Sequence, residues 1–220
     1  WFEPPVQSSR KATLVDLLNF EANAEADPDL EVQEICNYLE GLNFARAQLA
    51  NPKGLPISMR LLNETHRRLM AGARGDHKGP GEVRRSQNWI GGSRPRHASF
   101  VPPPPQALPG LLGAFEKYLH AHDRLPHIVR AGLLHVQFET IHPYLDGNGR
   151  IGRLLVALLF EHWKLLRRPL LYLSLFFKRH RDEYYRRLTG VRTDGDWEGW
   201  LRFFLEGVDT IATEAVASAR

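Results

Sequence analysis

Ile141-His142-Pro143-Tyr144-Leu145-Asp146-Gly147-Asn148-Gly149-Arg150-Ile151-Gly152-Arg153 joins two apolar segments and holds most of the chain's chemistry. The apolar run Ile151 to Phe160 follows directly and is expected to be a helix. Glycines at 147, 149 and 152 let the backbone turn tightly and let a ligand come close. Such a turn gathers backbone N–H groups into an anion-binding nest. At a helix N-terminus the macrodipole adds to it, and phosphate is the natural occupant. Arg150 and Arg153 stand three apart, so on a helix they share a face. Asp146 is a hard oxygen donor of the kind Mg²⁺ takes. His142 is a base whose ordinary pKa lies near neutrality. The stretch therefore offers a base, a metal ligand and a phosphate cradle.

Competing readings explain less of it. Gly147, Gly149 and Gly152 satisfy the dinucleotide fingerprint G-x-G-x-x-G, but that pattern needs a preceding strand and an acid about twenty residues on. The residues before it read as helical, and Arg167 to Leu173 holds no acid. A Walker A loop is absent. A plain inter-helical turn with a Gly cap accounts for one glycine, not for His142, Asp146, Asn148 and both arginines together.

The stretch resembles the Fic family signature, H-P-F-x-[D/E]-G-N-G-R-x-x-R. It matches at His142, Pro143, Asp146, Gly147, Asn148, Gly149, Arg150 and Arg153, with Tyr144 in place of the usual Phe. The resemblance extends from about Leu14 to about Val208. It implies an all-α, Fic-type helical domain with a small β-hairpin flap near the active site. It also implies transfer of AMP from ATP to a Ser, Thr or Tyr hydroxyl of a target protein, with release of pyrophosphate. On that basis His142 is the general base, and Asp146 holds Mg²⁺. Gly147, Asn148, Gly149, Arg150, Ile151, Gly152 and Arg153 cradle the phosphates. Ile90 and Gly91 of the flap and Tyr184 line the nucleotide pocket. The target lies along the flap as an added strand, and the chain itself is a further target by self-modification. The position eight residues after Tyr184 is often Asn in the family; here it is Arg192. De-AMPylation, transfer of another phosphate-containing group, and a non-catalytic nucleotide-binding module are the alternatives on the same scaffold.

Outward from the stretch, the whole chain sets limits. Its 220 residues, 43% hydrophobic and 25% charged, suit a globular domain with a sizeable core. The net charge of +4 suits an anionic ligand, while the lack of a long Lys/Arg block does not indicate nucleic acid. The single cysteine, Cys36, excludes an internal disulfide and fits a reducing, cytoplasmic setting. No apolar run reaches membrane-spanning length.

Three regions are expected: an N-terminal helical region (1–80), the Fic core (81–210) with its flap at 86–101, and a tail (211–220). Within the first, 1–13 read as a lead-in, 14–22 as a short helix and Asn23–Asp29 as a loop. A helix over Leu30–Leu49 follows, built on Val32, Ile35, Cys36, Leu39, Leu42 and Ala45. Asn51-Pro52-Lys53-Gly54 stops it, and Ser58 caps the next helix. Ser86–Ile90 and Ala98–Val101 read as two short strands around a Gly91–Arg96 turn, or as irregular loop. Leu108–His120 reads as a helix, and Pro126 opens another on Val129, Leu133, Val136 and Phe138. Leu170–Phe177 is ambiguous between strand and helix. Trp197–Leu205 closes the chain as a helix. The histidines at 120, 122, 127 and 135 lack the close pair spacings of a zinc site. Many Fic proteins carry an inhibitory [S/T]-x-x-x-E-[G/N] helix. Ser8-Ser9 stand at its expected place with no Glu at the right spacing; Thr210 and Glu214 have the spacing, but Ala215 follows. Two expectations stay open, that the chain lacks this inhibitory segment or that residues of it are absent between Arg10 and Ala12, with the second slightly favoured.

Overall fold

A computed structural model describes residues 28–73, 75–122, 124–166 and 173–218. The lead-in, the helix expected at 14–22 and the Ser8-Ser9 segment lie outside these residues. Eight α-helices make up the described fold: α1 (Pro28–Ala50), α2 (Met59–Leu69), α3 (Leu108–Leu119), α4 (His127–Ile141), α5 (Asn148–His162), α6 (Leu173–Arg179), α7 (Arg181–Asp194) and α8 (Trp197–Ser218).

Helix α5 is the axis. Ile151, Leu154, Leu155, Leu158 and Leu159 are fully buried, and α1, α2 and α4 all pack on it. A helix apolar on nearly every face must be surrounded, because any open side would leave apolar surface in water. Truncating one of these leucines to Ala costs about 2–5 kcal/mol. Arg46 of α1 reaches α5 with a two-pronged ion pair to Glu161, at 2.8 and 2.9 Å. Helix α8 closes the other side of α4, where the fully buried Trp200 donates its indole N–H to the Gly132 carbonyl at 2.9 Å.

Local signals explain most boundaries. Ser58 accepts the Leu61 N–H with its hydroxyl and so caps α2 as expected. After α1, the Asn51 carbonyl takes the Gly54 N–H at 2.8 Å, a turn that Pro52 cannot continue as helix. Helix α1 itself starts at Pro28, earlier than expected: proline loses nothing at a first helical position. Its inward face also differs from the expected one. Glu34, Asn37, Tyr38, Gly41 and Ala45 are buried, whereas Cys36 and Leu39 are exposed. Of the expected face, Ala45 is buried and Leu42 packs against the core, while Cys36 and Leu39 fall outside it because polar Glu34 and Asn37 have partners inside. Asn37 donates to the Leu69 and Ala71 carbonyls at the end of α2. In α4, Val136 and Phe138 are fully buried as expected and Leu134 and His135 join them, while Val129 and Leu133 are half-buried. The end of the ambiguous 170–177 run is helical, as α6, and residues 170–172 lie outside the described ones. The closing helix continues to Ser218 and buries Ile211.

The flap corrects the sequence reading. Instead of two strands, it has one antiparallel bridge between Ile90 and Phe100. Ile90 N–H donates to the Phe100 carbonyl and Ser99 N–H to the Ile90 carbonyl, both at 2.8 Å. Beyond it, Gly91 and Gly92 take positive φ and Pro95–His97 forms a short 3₁₀ turn. Pairing cannot extend the other way, since Pro102 to Pro105 have no N–H and the Pro102 carbonyl is taken by the Gln87 side chain at 2.9 Å.

Candidate active site

His142 is the C-cap of α4, in the left-handed region at φ 50° and ψ 64°. Histidine is among the few non-glycine residues enriched there. Its N–H closes the helix on the Phe138 carbonyl at 2.9 Å. Its own carbonyl accepts Arg84 Nε at 2.9 Å. Arg84 also donates to the Ser86 and Pro103 carbonyls, at 3.2 and 2.5 Å, and its backbone N–H bonds the Pro143 carbonyl. One buried guanidinium thus holds the base of the flap and the His142 backbone together, at the helix end where a cation suits the dipole.

Burial lowers the His142 pKa to about 4, and the charges of Arg192 and Arg84 push the same way; the Glu139 carbonyl and Asp146 oppose them. Nδ1 is buried and makes no hydrogen bond of good geometry. At neutral pH the ring is uncharged and able to take a proton.

Nothing in the sequence separated Arg84 from the adjacent Arg85. Arg84→Ala strips several carbonyls of their donor and is expected to cost about 2–4 kcal/mol of stability. Arg84→Lys, which keeps the charge but loses the fork, should recover only part of it. Thermal unfolding of both variants checks this; a lysine variant as stable as the parent would reduce Arg84 to a point charge.

The turn after His142 is rigid. Tyr144 is fully buried, stacks on His66 at 3.9 Å with the rings 5° from parallel, and donates its hydroxyl to Asn63 at 2.8 Å. His66 Nδ1 accepts the Gly81 N–H at 2.8 Å, so its Nε2 carries the proton and donates to the Asp146 carbonyl at 3.0 Å. Burial lowers the His66 pKa to about 4, in keeping with that neutral tautomer. Asn148 bonds the Tyr144 backbone at both ends of its amide, with Oδ1 taking the N–H and Nδ2 giving to the carbonyl, each at 2.8 Å. Its side chain is spent on shaping the turn, so the phosphate role expected of residue 148 falls to its backbone N–H.

That N–H belongs to the start of α5. Gly147, at φ 75°, is the N-cap, and no side chain caps the helix. Ile151 N–H is the first to reach back four residues, to the Gly147 carbonyl at 3.0 Å. The N–H groups of Asn148, Gly149 and Arg150 precede it and have no acceptor four residues back in the helix. A Cβ on Gly147 would lie 2.9 Å from Met70 Sδ and 3.0 Å from His66 Nε2, which excludes any larger residue at this cap. The Asp146 carboxylate sits beside it. Burial works against its charge, but hydrogen bonds from Lys78 at 3.0 Å and the Gly147 N–H at 2.7 Å outweigh that and lower its pKa.

Other residues expected at the site lie inside the fold. Arg150 is buried, 3.7 Å from Asp146 and 3.8 Å from Glu34, with Met70 Sδ at 3.2 Å. It faces the α1 side and orients Asp146. Ile151 is core. At Gly152 a Cβ would lie 2.3 Å from Glu139 Oε1, so the residue is small to let α4 and α5 close. Arg153 is buried within electrostatic reach of His135 and Tyr184. Tyr184 is buried rather than open to a pocket: its hydroxyl donates to His135 Nε2 at 3.0 Å, and His135 Nδ1 donates to the Gly152 carbonyl at 3.1 Å. Arg192 bonds the Glu139 carbonyl at 3.0 Å and lies 3.8 Å over the Phe100 ring, joining α7 to the flap. Asn88 ties the flap to the turn through the Tyr144 carbonyl at 3.1 Å. Ile90 and Gly91 stand two and three residues beyond it. Glu214 pairs with Arg179 at 2.6 Å, so the C-terminal Thr210–Glu214 spacing is an exposed ion pair.

The left-handed His142, Asp146 and the uncapped start of α5 all fall within the signature stretch, and residues 56–160 match the Fic/DOC family. The chain carries a Fic domain. It is 34% identical over 181 residues to protein adenylyltransferase Fic of Culex quinquefasciatus, covering 80% of this chain and 32% of that protein. The Aedes aegypti protein of the same name is 33% identical over the same share. The chain thus spans about a third of the length of these curated relatives. In fold, the Fic domain is similar to a Fic family protein from Desulfovibrio desulfuricans G20, with TM-score 0.74 and 24% identity over 94% of this chain and 60% of that one. A fragment of Fic-1 from C. elegans gives TM-score 0.65 at 21% identity, over 94% of this chain and 58% of that one.

Proposed function

We propose that the chain transfers AMP from ATP to a hydroxyl of a protein. The observation that carries the reading is the neutral His142 imidazole set one short turn from the uncapped start of α5. His142 takes the hydroxyl proton as the oxygen attacks the α-phosphorus. The bond from that phosphorus to the bridging oxygen breaks, and pyrophosphate leaves. Charge gathering on the α-phosphate is met by the N–H groups of residues 148–150 and the positive end of α5. The name shared by the relatives, protein adenylyltransferase, supports the same chemistry.

Mg²⁺ fits Asp146. This ion takes one or two carboxylates and fills its other positions with water and substrate phosphates. Among the described residues no cluster of three or more His, Cys, Asp or Glu could hold a metal, so Asp146 would share the ion with the nucleotide. The ion would supply charge neutralisation at the phosphates. Gly147 N–H and Arg150 hold Oδ1 of the carboxylate, while Lys78 bonds Oδ2 and would compete with the ion for it.

Incubation with ATP labelled at the α- or γ-phosphate tests the reading. Label on protein from the α position alone is expected. Label only from the γ position would mean phosphotransfer, and none from either would leave a binding module. Arg153 stands one helical turn past the nest, 8% exposed and within reach of His135 and Tyr184, so its assignment to the outer phosphates requires its side chain to turn toward the nucleotide. Arg153→Ala is expected to weaken ATP binding more than ADP binding, by roughly 1.5–3 kcal/mol for the lost charge-assisted contact. Equal loss for both nucleotides, measured by calorimetry, would place Arg153 elsewhere.

A further inference from the structure

The flap carries charge of one sign. Between Glu82 and Glu116 the chain has no Asp or Glu, yet it has Arg84, Arg85, Arg94, Arg96 and His97. Arg84 is spent inside the fold, and Arg85 lies 3.8 Å from Glu82. Arg94, Arg96 and His97 are exposed, and all three lie beyond the Ile90–Phe100 bridge, on the outer end of the flap. Pro95 and the 3₁₀ turn hold them close together. The root of the same flap is apolar and also open. Trp89 is 40% exposed and Leu145 37%. Each stands one residue along from the Asn88–Tyr144 hydrogen bond, which places both beside the turn that bears His142 and Asp146.

Phosphate already has its place at the start of α5, so the outer cations are not needed for the nucleotide. We propose that the flap docks an acidic segment of the target protein, with an apolar residue of that segment on Trp89 and Leu145. Its carboxylates would meet Arg94, Arg96 and His97. The partner's sign follows from charge complementarity: residues 83–115, a stretch of 33 without an acid, repel a basic segment and attract an acidic one. The apolar root fixes where along the segment the hydroxyl falls, and the charges select which segments arrive. This rests on the reading of the site as protein-modifying and adds the class of target to it.

Three labelled ten-residue peptides that differ only in the residues flanking a central tyrosine (acidic, uncharged or lysine) test it by fluorescence anisotropy without nucleotide. The acidic peptide is expected to bind about tenfold more tightly than the uncharged one, as the exposed ion pairs of Arg94 and Arg96 together can supply. That advantage should fade in about 0.5 M salt. The Arg94→Glu/Arg96→Glu double variant should lose it and prefer the lysine peptide, while its ATP affinity stays unchanged. Equal binding of the three peptides overturns the proposal. So does tighter binding of a single-stranded oligonucleotide than of the acidic peptide, which would mark a nucleic-acid surface. Adding α-labelled ATP separates the two readings. Charge-selective binding without label on any peptide sinks AMP transfer and leaves the docking. Equal label on all three sinks the docking and leaves the transfer.

Discussion

His142→Ala is expected to lower AMP transfer by roughly 10²–10⁴-fold while ATP still binds. On the proposed reading the base acts on the incoming hydroxyl, whereas α5, Asp146 and Arg153 would hold the nucleotide. His142 has a second role that must be separated from the first, because it ends α4 at φ 50°. Alanine is strained in that conformation by about 1–2 kcal/mol, whereas asparagine visits it readily. His142→Asn therefore keeps the backbone and removes the base. Both variants should be equally inactive, with only the alanine variant losing stability. Activity in the asparagine variant close to the parent's would remove His142 from the chemistry. The pH profile gives an independent check. A base whose pKa is lowered to about 4 stays neutral well below the ordinary 6.5, so the acid limb of transfer by the free enzyme should lie below that of an exposed histidine.

How much of this was legible in the sequence follows from what kind of information each feature uses. The motif is local: its residues lie within thirteen positions, and turn chemistry places them before any tertiary contact is considered. The central position of α5 was equally plain, since a run apolar on all faces has one stable location. Arg84 was not legible, because its partners are carbonyls of residues 86, 103 and 142, and a carbonyl carries no side-chain signal. Nor was the place of Glu34 and Asn37 on α1, which face inward because Arg150 and the end of α2 await them. Tyr184 and Arg150 were assigned to ligand by resemblance, yet both are buried and hold neighbours in place. The flap's reduction to one bridge came from prolines whose effect on pairing depends on register, which the alternation pattern does not contain.

His135 gives the second large effect, and its sign can be worked out. It is fully buried, and its tautomer is set because the Gly152 carbonyl can only accept, which leaves Nε2 to accept from Tyr184. Burial is the main cause of a pKa lowered to about 3, against the ordinary 6.5. Between those values the unfolded chain binds a proton that the folded chain does not, so stability is full above pH 6.5 and falls as the pH falls toward 3. His66 and His142, both lowered to about 4 by burial, add the same trend down to that value. From pH 6.5 to about pH 5 each of these histidines should remove roughly 1.5 kcal/mol, so the three remove about 4.5 kcal/mol. Against a typical total of about 5–15 kcal/mol that is a large share. Carboxylates with lowered pKa, such as Asp146, weaken the fold in the same direction, but only at lower pH, as they take up protons. The window above pH 5 therefore belongs mainly to the histidines. Denaturant unfolding across that window should show a steep fall for the parent. In His135→Gln, whose amide can still give to Gly152 and accept from Tyr184, the fall should be smaller by about a third. A variant whose stability declines in parallel with the parent's would mean that His135 takes up its proton within the folded state, and that the buried His135–Tyr184–Gly152 link opens before the chain unfolds.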